Sequence, residues 1–396
     1  MMYIANGGTT NDRSLSRTGV GTEFYANGGG NGMSLQLNLR DVQKYLQQQK
    51  LDGWLIYDFA GLNKVALEII DLGGHFISRR WFYYIPAQGE PVLLLHKIET
   101  TNFPAIAGKQ VTYAGRHELV ARLGDIIRKG SRIAMEYSPE NAIPTVSYVD
   151  AGTFELIRQF GAEIVSSANL VQYFTCRLDD EGLASHKRAV TALHDIQAEA
   201  FRLIESKLKS DGKVSEYAIQ QFITGRFREH GFVSNSEPIV ARNGNASNPH
   251  YSPSAHTTDI IRPGDCILID LWAKEDKPGA IYGDITWCGF AGQNPPEQYV
   301  EIWTVARDAR EAGLALLQQA HDQGKTVQAF EIDAAVRAHI TEKGYGEYFF
   351  HRTGHSIGED DHGKGANIDD YESKDLRDII PGLLFSIEPG IYLPDF

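Results

Sequence analysis

The chain has 396 residues, 42% of them hydrophobic and 22% charged, with a net charge of −13. That length suits two domains that each bury a core, and the balance excludes a fibrous or wholly disordered protein. An acidic surplus without a long Lys/Arg cluster offers no electrostatic footprint for a phosphate backbone, so nucleic acid is excluded as a partner.

Cys176, Cys266 and Cys288 stand far apart and never in a CxxC spacing, which points to neither a disulfide framework nor a thiolate metal site. A reducing cytoplasm is the expected setting. No apolar run reaches the roughly 18 residues that a membrane span requires, and no basic segment followed by an apolar core opens the chain as a secretory signal would. A cytoplasmic protein with no membrane partner is therefore expected.

Residues 1–33 are glycine-rich, with two near copies of Tyr-x-Asn-Gly-Gly and almost no apolar periodicity. Such a segment cannot offset its ordering entropy and is expected to be a disordered leader, with Met33 a candidate for the true start. Patterned sequence begins at Leu37. NLRDVQKYLQQQKLDG reads as an amphipathic helix ended by Gly53, and WLIYDF as the strand after it. WFYYIPAQGEPVLLLH reads as two strands joined through a Pro/Gly turn, VTYAG and RIAMEY as further strands, and DAGTFELIRQFGAEIV as a helix running into a strand. An α/β domain over residues 34–170 follows. It has no cluster of His and carboxylates, so scaffolding, interface and substrate-access roles are assigned to it.

A second domain, residues 171–396, opens with a long charged periodic stretch from Asp179 to His230, two helices separated near Ser210-Asp-Gly-Lys. Strands then dominate (EPIVARN, DCILIDLWA, AIYGDITWCGF). Two helices over Glu297 to Glu342 and a mainly β stretch from Tyr345 onward complete an α/β (α+β) chain.

Three features of this second domain carry chemistry. In ILIDLWAKE the apolar run Ile267-Leu268-Ile269 ends at Asp270, and Asp284 holds a similar place in AIYGDITW. If the turn at Glu275-Asp-Lys-Pro-Gly pairs the two strands, both carboxylates converge on one face, where they must share a proton or a cation. Solvent-facing or turn-capping Asp is the other reading at this stage. The run from His351 to His362 puts His351, His355 and His362 within twelve residues, a density suited to a first-row metal, with exposed loop histidines as the alternative. Glu388 interrupts the apolar strand LLFSIEPGIYLP, and ligation, acid/base work or a salt bridge would each satisfy it. His250, in ASNPHYSPS, is a further candidate.

Taken in order, Asp270, Asp284, His355 and Glu388, set in ILIDLWA, YGDITW, HRTGHSIG and FSIEPGIY, resemble the metal-ligand series of the aminopeptidase P, prolidase and methionine aminopeptidase superfamily. The similarity runs from about residue 37 to the end. It implies a creatinase-like N-terminal α/β domain and a C-terminal pita-bread catalytic domain of two pseudo-symmetric halves with the metals between them. By position, Asp270 would bind one metal, Asp284 would bridge both, and His355 with Glu388 would hold the other. His250 and His362 fall where the family has histidines that bind substrate and handle protons, and His351 matches a third position in that set. Glu388 counts among the catalytic groups as well as the ligands.

The resemblance further implies cleavage of the bond preceding proline in a peptide, as an Xaa-Pro dipeptidase or aminopeptidase, and a homodimer. Two divalent cations about 3.5–4 Å apart would acidify a bridging water. Oxygen and nitrogen ligands favour Mn²⁺, with Co²⁺ or Zn²⁺ as alternatives. The chain departs from the pattern in stopping at Leu393-Pro-Asp-Phe396, before a Gly-Val-Arg-x-Glu segment whose Glu is the family's second bridging ligand. It therefore reads as a C-terminally incomplete copy lacking its last strand, expected to hold fewer than two metals and to turn over slowly. A non-catalytic pita-bread binding protein, or a member acting on another amide, is the competing expectation.

Overall fold

The computed structural model describes residues 3–5 and 37–393. Of the expected leader, only Tyr3–Ala5 falls among these residues, and it departs from expectation by forming a short strand, β1. The rest of residues 1–33 lies outside the described set.

The first sheet is built from β2 (Gly53–Asp58), β3 (Trp81–Pro86), β4 (Val92–His96), β5 (Lys109–Tyr113), β6 (Arg132–Met135) and β7 (Glu163–Ser166), in the order β5-β4-β3-β2-β6-β7. β2, β3 and β4 pair antiparallel, while β5, β6 and β7 join their neighbours in parallel. Side chains alternate across a strand, and both faces here are apolar. Trp54 and Ile56 face α1 (Leu39–Gln48), α2 (Lys64–Ile69) and residues 170–171, while Leu55 and Tyr57 face α3 (Arg116–Ile126) and α4 (Ala151–Gln159). α1 ends at Gln48, earlier than the expected stop at Gly53. Gly53 instead opens β2, where a Cβ would lie 2.3 Å from the Tyr84 ring, so the glycine serves sheet packing and not helix termination.

After α5 (Ala168–Thr175), the 32-residue α6 (Asp180–Asp211) begins with Asp179 accepting a hydrogen bond from Gly182 N–H at 2.7 Å. Its buried stripe, Leu193, Ile196, Ala200, Phe201 and Ile204, packs on the second sheet with residues of α7 (Glu216–Glu229). That sheet runs β1-β13-β12-β10, made of β10 (Ile239–Arg242), β12 (Cys266–Glu275) and β13 (Gly283–Phe290). β9 (Phe232–Val233) pairs with the far end of β12, and β8 (Val214–Ser215) with β11 (Ile260–Ile261) forms a two-stranded ladder. β1 adds antiparallel to the outer edge of β13, whose unpaired N–H and C=O groups are what an edge strand offers. Two helices, α8 (Glu297–Asp322) and α9 (Ala329–Glu342), follow. Among the described residues no helix is long and apolar enough to cross a membrane.

The stretch from Tyr345 onward differs from the expected regular β structure. Among its described residues it contains a short 3-10 turn (Gly346–Tyr348) and isolated bridges, including Gly354 to Ile368 and Ser356 to Phe385. Buried polar groups take the place of a continuous ladder: Asp369 accepts hydrogen bonds from Tyr371, Glu372 and Ser373, and Asp375 pairs with the fully buried Arg377.

Candidate metal centre

The hairpin β12–β13 places the first two carboxylates. Asp270 sits opposite Thr286 and Trp272 opposite Asp284, so both acids point to one face, staggered by two residues. The alternate residues Ile267, Ile269, Leu271 and Ala273 are buried against α6 and α7. The connection over residues 276–282 joins the two strands in that register.

His355 and Glu388 come from two irregular segments that lie side by side. Ile357 N–H donates to Leu384 O at 2.9 Å, Ser386 N–H to His355 O at 2.9 Å and Glu388 N–H to Thr353 O at 2.8 Å. Gly354 allows this approach: a Cβ there would lie 2.0 Å from Ser386 O. The Ser386 hydroxyl links the two residues, accepting from His355 N–H at 2.9 Å and donating to Glu388 Oε1 at 2.8 Å.

Behind His355 stands Asp333 of α9, fully buried. It accepts from Thr353 N–H at 3.0 Å, Thr353 Oγ1 at 2.6 Å and Asp370 N–H at 3.0 Å, and it pairs with Arg337 at 3.0 Å. The Arg337 guanidinium lies against the rings of Phe349 and Tyr371 and donates to the carbonyls of Phe349 and His351. Asp333 and Arg337 are absent from the sequence-based candidates. Their signal was an acid on an otherwise apolar helix face with an arginine four residues on.

Ligand atoms of Asp284, His355 and Glu388 all fall within 4.8 Å of one another. His355 Nε2 is 3.1 Å from Glu388 Oε1 and 3.4 Å from Asp284 Oδ2. Its Nδ1–H donates to Ser356 O at 3.1 Å, the arrangement that leaves Nε2 free to ligate. Asp270 stands outside this trio, its Oδ1 accepting from Thr286 Oγ1 at 2.8 Å. Electrostatics bind the four into one unit. Burial, then the charges of Asp284 and Glu388, push the Asp270 carboxyl well up. Burial also raises Asp284, against the hydrogen bond to His355. On Glu388 burial pushes upward too, yet the His355 contact prevails and lowers it. Burial alone would lower His355, but its hydrogen bonds to Asp284 and Glu388 raise it to about 10. Three half-buried carboxylates around one buried imidazole carry excess negative charge, and a divalent cation fits this donor set.

The other histidines border the same cavity, of about 1750 Å³. His250 is exposed, on a loop organised by buried Glu216, which accepts from Arg242 N–H, Asn245, Asp259 N–H and the Tyr251 hydroxyl. The His362 ring lies 4.0 Å from that of His355, and its Nδ1 accepts from Arg352 at 3.2 Å. Partial enclosure, then the charges of His355 and Arg352, hold it down at about 4. Both nitrogens of His351 are engaged: Nδ1–H donates to Arg352 O at 2.6 Å, and Nε2 accepts from the Tyr392 hydroxyl at 2.7 Å. Trp272, Trp287, Tyr299, Trp303 and Phe350 supply apolar walls.

Comparison with known proteins places this geometry. An Xaa-Pro dipeptidase of Lactobacillus helveticus is 36% identical over 163 residues, 40% of this chain and 39% of its own length. The Xaa-Pro dipeptidase of Pyrococcus furiosus is 26% identical over 279 residues, 64% of this chain and 74% of its own. The chain thus spans about two fifths of the first of these relatives. A recombinant prolidase from Thermococcus sibiricus shares the fold, with a TM-score of 0.54 at 21% identity over 92% of each chain. The two-domain pita-bread architecture expected from the ligand series is the one observed. Residues 188–396, more than half of the chain, match metallopeptidase family M24, and the chain belongs to that family.

Proposed function

We propose that the chain is a metal-dependent exopeptidase that hydrolyses the bond preceding proline, as an Xaa-Pro dipeptidase or aminopeptidase. The observation that carries this is the convergence of Asp284, His355 and Glu388 within 4.8 Å in the lining of a large cavity, with Asp270 on the adjoining strand. The two Xaa-Pro dipeptidases among its relatives support the substrate class.

The four ligands would hold one or two divalent ions, Mn²⁺ first by donor chemistry, with Co²⁺ or Zn²⁺ next. Such an ion supplies polarisation of the scissile carbonyl and an acidified water. His355 is held ready by Ser356 O and Ser386, and Glu388 by the Ser386 hydroxyl. His362 is the better placed proton carrier, lying against His355, while exposed His250 borders the cavity as an oxyanion or substrate contact. His351 would meet substrate through its ring, since both its nitrogens are engaged.

In this proposal residues 34–170 form the first domain and 171–396 the catalytic one, in a cytoplasmic homodimer. Exposed Phe59 and Leu62 follow β2, Phe76 precedes β3 and Ile98 follows β4, all at one end of the first sheet, an apolar surface that a second copy would cover.

The test is release of proline-containing products from Xaa-Pro dipeptides and from longer Xaa-Pro-Yaa peptides, with and without Mn²⁺. Cleavage of the dipeptides alone assigns a dipeptidase, and cleavage of the longer peptides an aminopeptidase. Inertness toward both with Mn²⁺, Co²⁺ and Zn²⁺ would overturn the proposal.

A further inference from the structure

One buried acid in the cavity has no role in the ligand series. Asp361 is 7% exposed, and its Oδ1 has no hydrogen-bond partner. Among the described residues its one partner within ion-pair range is His362, whose Nε2 lies 3.8 Å from Asp361 Oδ2, beyond hydrogen-bond length, and whose depressed pKa leaves the ring uncharged. An uncompensated carboxylate at this depth is costly unless a cation or a proton meets it.

The backbone puts this acid beside the centre. Tyr282 N–H, two residues before Asp284, donates to Gly358 O at 3.0 Å, and Lys274 Nζ donates to Glu359 O at 2.6 Å. These bonds tie the loop preceding Asp361 to the end of the hairpin that carries Asp284. Lys274 is spent on that carbonyl and on the Tyr282 ring, so it does not neutralise Asp361. Asp270 faces Thr286, two residues after Asp284. The loop contact at Tyr282 and the Asp270 pairing at Thr286 therefore flank Asp284 on either side along the chain. Asp361 lines the same cavity as Asp284, His355 and Glu388.

We propose that Asp361 is a further metal ligand, its carboxylate supplying an oxygen to the ion held by Asp284, His355 and Glu388. A hard divalent cation with oxygen-rich coordination suits such a set, and Asp361 adds an anionic donor that turns an unsatisfied buried atom into a bonded one. This inference rests on the metal-dependent reading above.

The experiment compares the chelator-stripped full chain with Asp361→Asn and Asp361→Glu, titrating Mn²⁺ by calorimetry and Co²⁺ by its visible absorption. Asp361→Asn keeps the shape but loses the anionic donor, and should weaken Mn²⁺ binding by about tenfold or more and alter the Co²⁺ bands, as loss of a supporting ligand does. Asp361→Glu, which retains a carboxylate, should recover part of that loss. Far-UV circular dichroism checks that the variants fold, and the Asn-to-Glu comparison holds even if both are less stable. Wild-type affinity and spectrum in Asp361→Asn would overturn the ligand role. Metal binding that drops in Asp361→Asn supports it even if no Xaa-Pro peptide is cleaved, whereas a wild-type chain that binds neither metal sinks both the ligand role and the metal-dependent reading.

Discussion

His355 Nε2 lies 3.1 Å from Glu388 Oε1, although the two residues come from segments without regular secondary structure. The Ser386 hydroxyl, bonded to His355 N–H and to the Glu388 carboxylate, fixes that pair. Replacing Glu388 by Gln removes a negative donor while keeping the shape. Peptidase activity should fall by about a hundredfold or more, since the ion is worth several kcal/mol to the transition state. Steady-state kinetics at saturating Mn²⁺ check this, and chelator treatment of the wild type should have a comparable effect. Activity retained in Glu388→Gln would remove Glu388 from the centre.

The metal-free chain should show a pH signature of His355. Its pKa is raised from 6.5 to about 10, because the hydrogen bonds to Asp284 and Glu388 outweigh the opposing effect of burial. A pKa raised on folding stabilises fully below the unfolded value and is lost as pH climbs through the folded one. The melting temperature in chelator should therefore decline between pH values of about 7 and 10. The decline should be shallower in His355→Gln. Scanning calorimetry at stepped pH measures both curves, and parallel curves would exclude the effect.

Asp333 offers a test of the support behind the centre. Asp333→Ala leaves Arg337, which is partly buried, without its carboxylate and Thr353 without its acceptor. Breaking one side of such a pair costs about 3–5 kcal/mol. Urea unfolding should register that loss. Metal affinity should fall as well, because Thr353 lies two residues from His355, and an unchanged midpoint would show that the network is dispensable.

Gly354→Ala should be disruptive out of proportion to one methyl group. The added Cβ would meet Ser386 O at 2.0 Å, forcing apart the two segments that deliver His355 and Glu388. We expect reduced stability together with weaker Mn²⁺ binding, read by thermal melting and calorimetric titration. A variant with wild-type values would mean that the two segments separate without cost.

The apolar end of the first sheet predicts association. Phe59, Leu62, Phe76 and Ile98 are 44% to 68% exposed. Sedimentation should give twice the chain mass, and a Leu62→Asp, Phe76→Asp double variant should sediment as a single chain. A wild type that sediments as a single chain would refute the dimer.

The β12–β13 hairpin was legible in the sequence because the apolar run Ile267-Leu268-Ile269 ends at Asp270 and the turn at Glu275-Asp-Lys-Pro-Gly allows the two strands to pair, which puts both acids on one face as the register shows. His355 and Glu388 stood out by the histidine density of residues 351–362 and by an acid interrupting an apolar run, and the motif resemblance supplied their roles. Their segments hold together by side-chain and isolated backbone hydrogen bonds, which leave no repeating pattern. The strand at Tyr3–Ala5 was missed for a related reason. Three residues carry no period, and their structure depends on an open edge more than 270 residues away in sequence. Asp361 lies beside His362 in the acidic run Glu359-Asp360-Asp361, where no sequence pattern marks it, and the bonds from Tyr282 and Lys274 to its loop accompany its enclosure.

Gln172, near the end of α5, bears on how the molecule comes apart. Its carboxamide, 1% exposed, donates to Asp378 O and accepts from Ala366 N–H, while Leu178 N–H reaches Gly382 O and Lys364 pairs with Glu68. The same helix contributes Leu170 and Val171 to the core of the first sheet. A helix that shares one sheet's interior and is stitched to the loop beneath the metal centre transmits melting in either direction. Heating should thus produce a single calorimetric transition, with the calorimetric and van't Hoff enthalpies in agreement, rather than two independent meltings.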